Sequence, residues 1–285
     1  MPLTHIKRYE RPDDLQTAWE LLVDGGQAVR VLGGGTDLVV NCPREVSTLV
    51  DLAGLDLRFL EEADDGSIRI GAMTTFTELL ELPALAEHTG GILAEMLVQV
   101  GSVLHRNSAT IGGHLSRGRL SDVTPVLLAL DAEVTFTNGT SHTMPIETYY
   151  AEQRNRTPHI VTEVRLPAAR PSSAGAFERF TRTAFDHALV NCACRIDLAG
   201  GTVAQARVVV GQTAALGRRV PPAEAALAGG PLDGDSIAAA AAAAQETVET
   251  SGDWSAGAAY RSHLIGVLVG RSLATVARRL EGGAA

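Results

Sequence analysis

The amino-acid sequence predicts an α+β protein built from two domains. A length of 285 residues with a hydrophobic fraction of 45% supplies enough apolar side chains for two separate cores. Helical and strand-like hydrophobic patterns alternate through the first part of the chain, whereas three strand-like segments followed by helices occupy the rest. Proline, alanine and serine replace these periodic patterns between Pro167 and Gly175. We therefore expect one domain at residues 1–172 and a second at residues 176–285.

In the first domain, short strands and helices are predicted to end at glycine-rich loops. Asp13 is the expected N-cap of the first helix, and Gly25–Gly26 its end. The spacing Thr75-x-x-Glu78 is that of a capping box at the start of another helix. Asn138–Gly139 predicts a β-hairpin on a type I′ turn. The expected strands cover 28–32, 48–52, 67–70, 133–137 and 160–166, and the expected helices cover 13–24, 75–82, 91–100 and 125–132.

The second domain is predicted to contain a three-stranded antiparallel sheet followed by helices. Strand-like segments cover residues 176–181, 189–198 and 203–211, and Gly200–Gly201 joins the last two. Helices are expected at 236–249, where seven consecutive alanines favour helix, and at 255–280.

Charge and hydropathy exclude two classes of partner. The net charge of −9 offers no basic surface for nucleic acid. The first 20 residues lack a signal-peptide core, and no apolar run is long enough to span a membrane. We expect a soluble, cytoplasmic protein.

The three cysteines are too few for an iron–sulfur cluster, which generally needs four thiolate ligands. Cys192 and Cys194 project to one face of a predicted strand, where they are expected to be small buried apolar residues. The scattered histidines show no metal-ligand spacing. We therefore predict no metal site, and any iron–sulfur chemistry must belong to a partner.

Two glycine-rich loops are the main candidates for ligand binding. The first, residues 31–38, follows a strand and reads VLGGGTDL; it lacks the third glycine of a Rossmann motif and the Gly-Lys-Ser/Thr of a P-loop. The second, residues 106–114, reads RNSATIGGH. Two such loops are suited to a dinucleotide, because their amide N–H groups can bind a pyrophosphate from opposite sides.

A purely structural alternative remains open for the first glycine loop and for Asp122. The first glycine cluster is also what a plain tight turn needs. Asp122, eight residues beyond His114, is placed to accept hydrogen bonds from ribityl or ribose hydroxyls, or simply to stabilise the start of a helix.

Several segments, in order, resemble the FAD subunit of the xanthine dehydrogenase and aerobic carbon monoxide dehydrogenase family. The resemblance covers nearly the whole chain and implies a PCMH-type FAD-binding domain of two α/β subdomains, followed by the family's C-terminal domain. The segments are 31–38, 70–75 (IGAMTT), 106–113, 121–132 (SDVTPVLLALDA), 160–167 (IVTEVRLP), 177–182 (FERFTR) and 186–191 (DHALVN).

The resemblance implies that FAD is the cofactor and that its pyrophosphate lies between the two glycine loops. The loop at 183–187 corresponds to one that approaches the flavin ring in this family, and His187 stands where tyrosine is frequent. Three further positions depart from the family pattern: Gly33, His114 and Glu178, the last of which replaces a lysine near the cofactor in some relatives. The expected FAD-binding residues are Leu32, Gly33, Gly34, Gly35, Thr36, Asp37, Gly101, Asn107, Thr110, Ile111, Gly112, Gly113, His114, Asp122, Ile160 and His187.

The function implied is that of an electron-transfer subunit in a molybdenum hydroxylase. A [2Fe-2S] small subunit would deliver electrons to FAD, a molybdenum cofactor large subunit would oxidise the substrate, and NAD, oxygen or a quinone would accept the electrons. The expected assembly is a dimer of heterotrimers, and no catalytic side chain is assigned to this chain because the redox chemistry belongs to the cofactor. Two alternatives are a self-contained flavin oxidoreductase and a docking protein whose glycine loops are empty.

Overall fold

A computed structural model describes residues 3–117, 121–153, 157–184, 186–213 and 217–282 of the chain. Two compact units are present, and both are discontinuous in sequence. The first unit contains residues 3–81, 102–117 and 132–167, and the second contains 82–101, 121–131 and 168–282, apart from the gaps just given.

A three-stranded parallel sheet forms one part of the first unit. Its order is β1 (Arg8–Glu10), β3 (Thr48–Asp51), β2 (Val29–Leu32). Helix α1 (Leu15–Gly25) packs on it through a cluster that includes fully buried Ala18. The N-cap of α1 is Asp14, whose carboxylate accepts a 2.8 Å bond from the Thr17 amide; the prediction of Asp13 was wrong by one residue.

A five-stranded antiparallel sheet forms the other part of the first unit. Its order is β4 (Leu60–Glu62), β5 (Ile68–Gly71), β8 (Ile160–Leu166), β6 (Glu133–Thr137), β7 (Ser141–Pro145). The predicted β6–β7 hairpin is present, with Gly139 at φ 100°. However, Thr137 pairs with Ser141, so the connection has three residues and is not the expected two-residue turn. Short helices connect these strands: α2 (Leu38–Asn41), α3 (Phe76–Glu81), α6 (Val103–Arg106), α7 (Ile111–Ser116) and α9 (Ile146–Thr148).

The second unit is built on a four-stranded antiparallel sheet. Its order is β12 (Arg218–Arg219), β11 (Thr202–Gly211), β10 (Val190–Ala199), β9 (Ser173–Phe180). The three long strands were predicted, whereas β12 adds a fourth. Two arginines show no hydrophobic alternation, so a strand of this length leaves no pattern to detect.

Six helices belong to the second unit in the part of the chain that is described. Buried residues of α11 and α12 share one core with the strands, and this core includes Cys192 and Cys194 as expected. Small Ala240 and Ala244 are the fully buried residues of α11, which allows close helix packing. The helices are α4 (Pro83–Glu87), α5 (Ile92–Gln99), α8 (Val123–Ala129), α10 (Pro221–Leu227), α11 (Gly234–Thr247) and α12 (Ala258–Gly282).

Across the described residues, none of the helices combines the length and the apolar character that crossing a membrane requires.

Candidate functional site

The first glycine loop leaves a run of backbone amides without partners. Strand β2 ends at Leu32, Gly35 has a φ of 71°, and α2 begins after Asp37. No acceptor for the N–H groups of residues 34–37 is present among the described residues. A left-handed residue in such a loop turns successive N–H groups toward one side, which forms a concave anion-binding nest. We call residues 34–37 the amide nest.

By contrast, the amides of the second loop donate within the protein. Ile111 N–H donates to the Thr74 carbonyl at 3.1 Å, and Gly112 N–H donates to the Ala72 carbonyl at 2.9 Å. Gly113 N–H donates to the Thr110 hydroxyl at 3.2 Å. The Ile111, Gly112 and Gly113 amides thereby tie the second loop to the segment 72–75 and to Thr110, whereas the first loop presents four consecutive uncommitted amides.

Contacts between backbones bring the two loops together in the first unit. A Cβ added to Gly34 would overlap the Ser108 carbonyl, and a Cβ at Gly33 would lie 2.9 Å from the Thr110 hydroxyl oxygen. A Cβ on Gly112 would lie 2.6 Å from Ala72 Cβ. Packing therefore requires glycine at Gly34 and Gly112, whereas the near contact at Gly33 is with the end of a single side chain.

Gly113 has different surroundings. A Cβ there would meet only the Thr110 hydroxyl, at 2.9 Å, and no other atom within 4 Å. Packing alone does not account for this glycine, so the open space beside it is available to a ligand.

An ion pair closes one end of the amide nest. Arg117, which follows α7, places its Nε 3.1 Å from Asp37 Oδ1, and the side chains are 17% and 28% exposed. Asp37 Oδ1 also accepts a 2.8 Å hydrogen bond from the Asn41 amide group. Sequence reasoning missed Arg117, although a cation three residues beyond the Gly-Gly-His sequence was a usable signal.

The remaining expected site residues of the first unit have other contacts. Asn107 Oδ1 accepts a 2.6 Å bond from the Thr77 hydroxyl. The His114 ring is buried, 4.6 Å from the Phe76 ring centroid. Ile160 is only 2% exposed and belongs to the hydrophobic core, so its side chain serves packing.

Gly101, Asp122 and His187 belong to the second unit. Gly101 has a φ of 56°. Asp122 stands at the N-cap of α8 but makes no side-chain capping bond. Its carboxylate instead accepts a 2.9 Å bond from Arg179 and a 2.5 Å bond from Asn191 Nδ2. The Asp122 and Arg179 side chains are 10% and 9% exposed, so this is a buried ion pair that sequence reasoning did not anticipate.

His187 is exposed, and the loop before it carries a stacked arginine. The Arg182 guanidinium lies 4.7 Å from the Trp254 ring centroid, a cation–π contact, and pairs with Asp186 at 3.1 Å. The indole of Trp254 is itself 85% exposed. These surface contacts hold the loop after β9, whereas Phe180 at the end of the strand packs against the core of the second unit.

Comparison with known proteins identifies the family. The family model described as the FAD binding domain in molybdopterin dehydrogenase matches residues 4–169, more than half of the chain. The chain belongs to this family. Residues 175–276 match the CO dehydrogenase flavoprotein C-terminal domain, so FAD is the cofactor and the chain is a subunit of the xanthine dehydrogenase and CO dehydrogenase type of molybdenum hydroxylase.

Relatives in this family match nearly the full length of the chain. A putative xanthine dehydrogenase FAD-binding subunit from Escherichia coli K12 is 30% identical over 90% of this chain and 91% of its own. The nicotine 6-hydroxylase medium subunit of Paenarthrobacter nicotinovorans is 29% identical over 95% and 98%. The carbon monoxide dehydrogenase structure from Hydrogenophaga pseudoflava superposes with a TM-score of 0.88 at 26% identity, covering 96% of this chain and 98% of that one.

The residues present in the first unit fit the cofactor of this family. FAD carries a diphosphate with two negative charges, and the amide nest and Arg117 are the donors that such a group requires.

Proposed function

We propose that this chain binds FAD by its diphosphate at the amide nest and passes electrons from the iron–sulfur clusters of a partner subunit to an external acceptor. The main observation that supports this binding site is the run of N–H groups at residues 34–37, which have no acceptor among the described residues. Backbone donors suit a diphosphate because no side chain separates them from the phosphate oxygens. FAD, when bound, supplies the redox chemistry.

In this proposal the two glycine loops have different roles. The amides of residues 34–37 donate to phosphate oxygens. The second loop, tied to Ala72 and Thr74, supports the nest through Ser108 and leaves space at Gly113. The roles of Gly101, Asn107, His114, Asp122, Ile160 and His187 toward FAD stay predictions from the resemblance.

The partners are proposed from the relatives. The relative from Paenarthrobacter nicotinovorans and the carbon monoxide dehydrogenases are named as medium subunits or medium chains, which supports a complex of several different chains. A [2Fe-2S] small subunit and a molybdenum cofactor large subunit are the proposed partners, and NAD, oxygen or a quinone is the proposed acceptor. Purification of the native complex tests this: co-purification of two other chains is expected. Oxidation of a small molecule by this chain alone would instead favour the self-contained oxidoreductase.

Gly113→Val tests the diphosphate site. The added side chain occupies a space in which its Cβ meets only the Thr110 hydroxyl oxygen, at 2.9 Å, and loss of one or two charged hydrogen bonds to the diphosphate should raise the Kd for FAD about tenfold or more. Gly34→Val is unsuitable, since it would force the loops apart. Gly230→Val is the control, because nothing lies within 4 Å of a Cβ there. Unchanged FAD affinity in Gly113→Val, with a thermal midpoint like that of the wild type, would exclude the proposed site.

A further inference from the structure

We infer that Arg117 is a direct cationic ligand of the FAD diphosphate, a role that rests on the function proposed above. Its position supports this, because its backbone N–H donates to the Gly113 carbonyl at 3.1 Å while its side chain reaches Asp37 in the amide nest. Arg117 therefore links the open side of the second loop to the uncommitted amides of the first.

The guanidinium of Arg117 has more donors than the protein uses. A guanidinium carries five N–H donors, and Nε is the atom that faces Asp37. Even that contact lacks hydrogen-bond geometry, and no described residue accepts a hydrogen bond from the Arg117 side chain. The two terminal nitrogens are thus available to a planar or tetrahedral anion.

Burial makes this arrangement costly without a ligand. The side chain is 17% exposed, and a charged group withdrawn from water needs a charged, hydrogen-bonded partner. Asp37 supplies one negative charge, and Asn41 shares the same carboxylate oxygen. A diphosphate adds two negative charges and several acceptor oxygens, so it satisfies the guanidinium and the amide nest together.

The role assigned to Asp37 follows from the same geometry. Its backbone N–H is part of the nest, whereas its carboxylate orients Arg117 and competes with phosphate for it. Asp37→Asn keeps the N–H and removes the competing charge, so the Kd for FAD should stay the same or fall. Removal of Arg117 should have the opposite effect.

The test is titration of FAD into the flavin-free full chain, followed by flavin fluorescence at low and high ionic strength. Arg117→Gln should raise the Kd about ten- to a hundredfold, the loss expected for charged hydrogen bonds. It should also remove most of the dependence of the Kd on salt, since screening acts on the charge that the variant lacks. Arg117→Lys should recover part of the affinity, because it keeps the charge without the planar fork.

Arg69→Gln is the matched control, because Arg69 lies in the same unit and pairs with Glu163 on an exposed surface. Arg117→Met, which keeps the aliphatic stem, is measured in parallel, together with the thermal midpoint of each flavin-free variant. An equal rise in Kd for Arg117→Gln and Asp37→Asn, with the salt dependence retained, would show that the pair only supports the loops. If Arg117→Gln binds FAD normally while Gly113→Val does not, the role of Arg117 is wrong but the diphosphate site stands. If Gly113→Val binds FAD normally, the diphosphate site itself is wrong.

Discussion

At Gly34 and Gly112, neighbouring residues occupy the positions where a Cβ would lie. The Ser108 carbonyl excludes a side chain at Gly34, and Ala72 excludes one at Gly112. Gly35 is glycine for another reason, since it adopts a φ of 71°. Gly113 meets neither constraint as strictly, since a Cβ there would approach only the Thr110 hydroxyl, and this supports its place in the proposed diphosphate site. Adjacent glycines within the same loop are therefore required for different physical reasons.

Glu178, where the resemblance predicts a departure from the family pattern, has a shifted pKa with a measurable consequence. Burial raises the pKa of its carboxyl group, and the nearby Glu95 carboxylate raises it further, while three arginines of α12 oppose the shift. The folded state therefore binds the Glu178 proton more tightly than the unfolded state does. Ionisation of Glu178 above its unfolded pKa costs folding free energy.

Glu178→Gln should stabilise the protein at neutral pH. Because the folded pKa is raised, wild-type stability declines as pH rises from the unfolded value of about 4.3 through the folded pKa. The variant lacks this decline, so its thermal midpoint should exceed that of wild type at about pH 7 and match it at about pH 4. Glu281→Gln, an exposed position on α12, is the control. A difference independent of pH would contradict the burial effect.

At the scale of elements, the segment 72–75 has a structural role, because its backbone holds the second glycine loop. Its carbonyls accept the amides of Ile111 and Gly112, and Phe76 N–H donates to the Ala109 carbonyl. The predicted capping box is confirmed, since the Thr75 amide donates to Glu78 and the Glu78 amide donates to the Thr75 hydroxyl. The segment and the start of α3 thus form the support on which the second loop rests.

Thr110→Val should weaken this support. Thr110 is the N-cap of α7 and accepts the Gly113 amide, a contact whose loss costs about 1 kcal/mol. We expect the thermal midpoint to fall by about 2–4 °C and the Kd for FAD to rise. Thr110→Ser should retain both values, and Thr143→Val, on exposed β7, should change neither. Equal midpoints for the valine and serine variants would contradict a capping role.

At the scale of the whole molecule, the second unit is assembled from segments far apart in sequence. Each short segment is tied to the C-terminal part of the chain by charged groups. Arg279 pairs with Glu95 at 3.1 Å, and Arg179 pairs with Asp122 at 2.9 Å. Asp131 accepts from Arg207 at 2.7 Å. The segments 82–101 and 121–131 therefore depend on residues beyond 168, although they precede the predicted boundary.

The fragment 1–172 should for this reason fold poorly by itself. It contains α5 and α8, whose buried residues belong to the second unit, including Ile92, Leu93, Met96, Leu97, Val123, Val126 and Leu127. We expect the isolated fragment to bind a hydrophobic dye, to aggregate, and to lack a cooperative unfolding transition. The full chain, measured alongside, should unfold cooperatively. A monomeric fragment with a transition like that of the full chain would show that residues 1–172 form an independent domain, as the sequence predicts.

Local signals determined much of the secondary structure and the position of the two loops. Helix α1, the capping box at Thr75, and strands β10 and β11 follow from hydrophobic spacing and cap chemistry, which depend on residues a few positions apart. Strand β12 was not predicted, because a strand of two residues is too short to show a hydrophobic period. The N-cap of α1 was placed one residue too early, because Asp13 and Asp14 are chemically equivalent choices. The resemblance of several segments then identified the family and its cofactor.

Only the tertiary structure decided how the loops divide their roles. The sequence alone predicted N–H donors on both loops, but whether an amide is available depends on distant carbonyls, here Ala72 and Thr74. The pairs Asp37–Arg117 and Asp122–Arg179 likewise join residues 80 and 57 positions apart. Whether an amide is already hydrogen-bonded, and which charged groups pair, depends on residues that are close in space but distant in the chain. Patterns among neighbouring residues of the sequence therefore do not predict them.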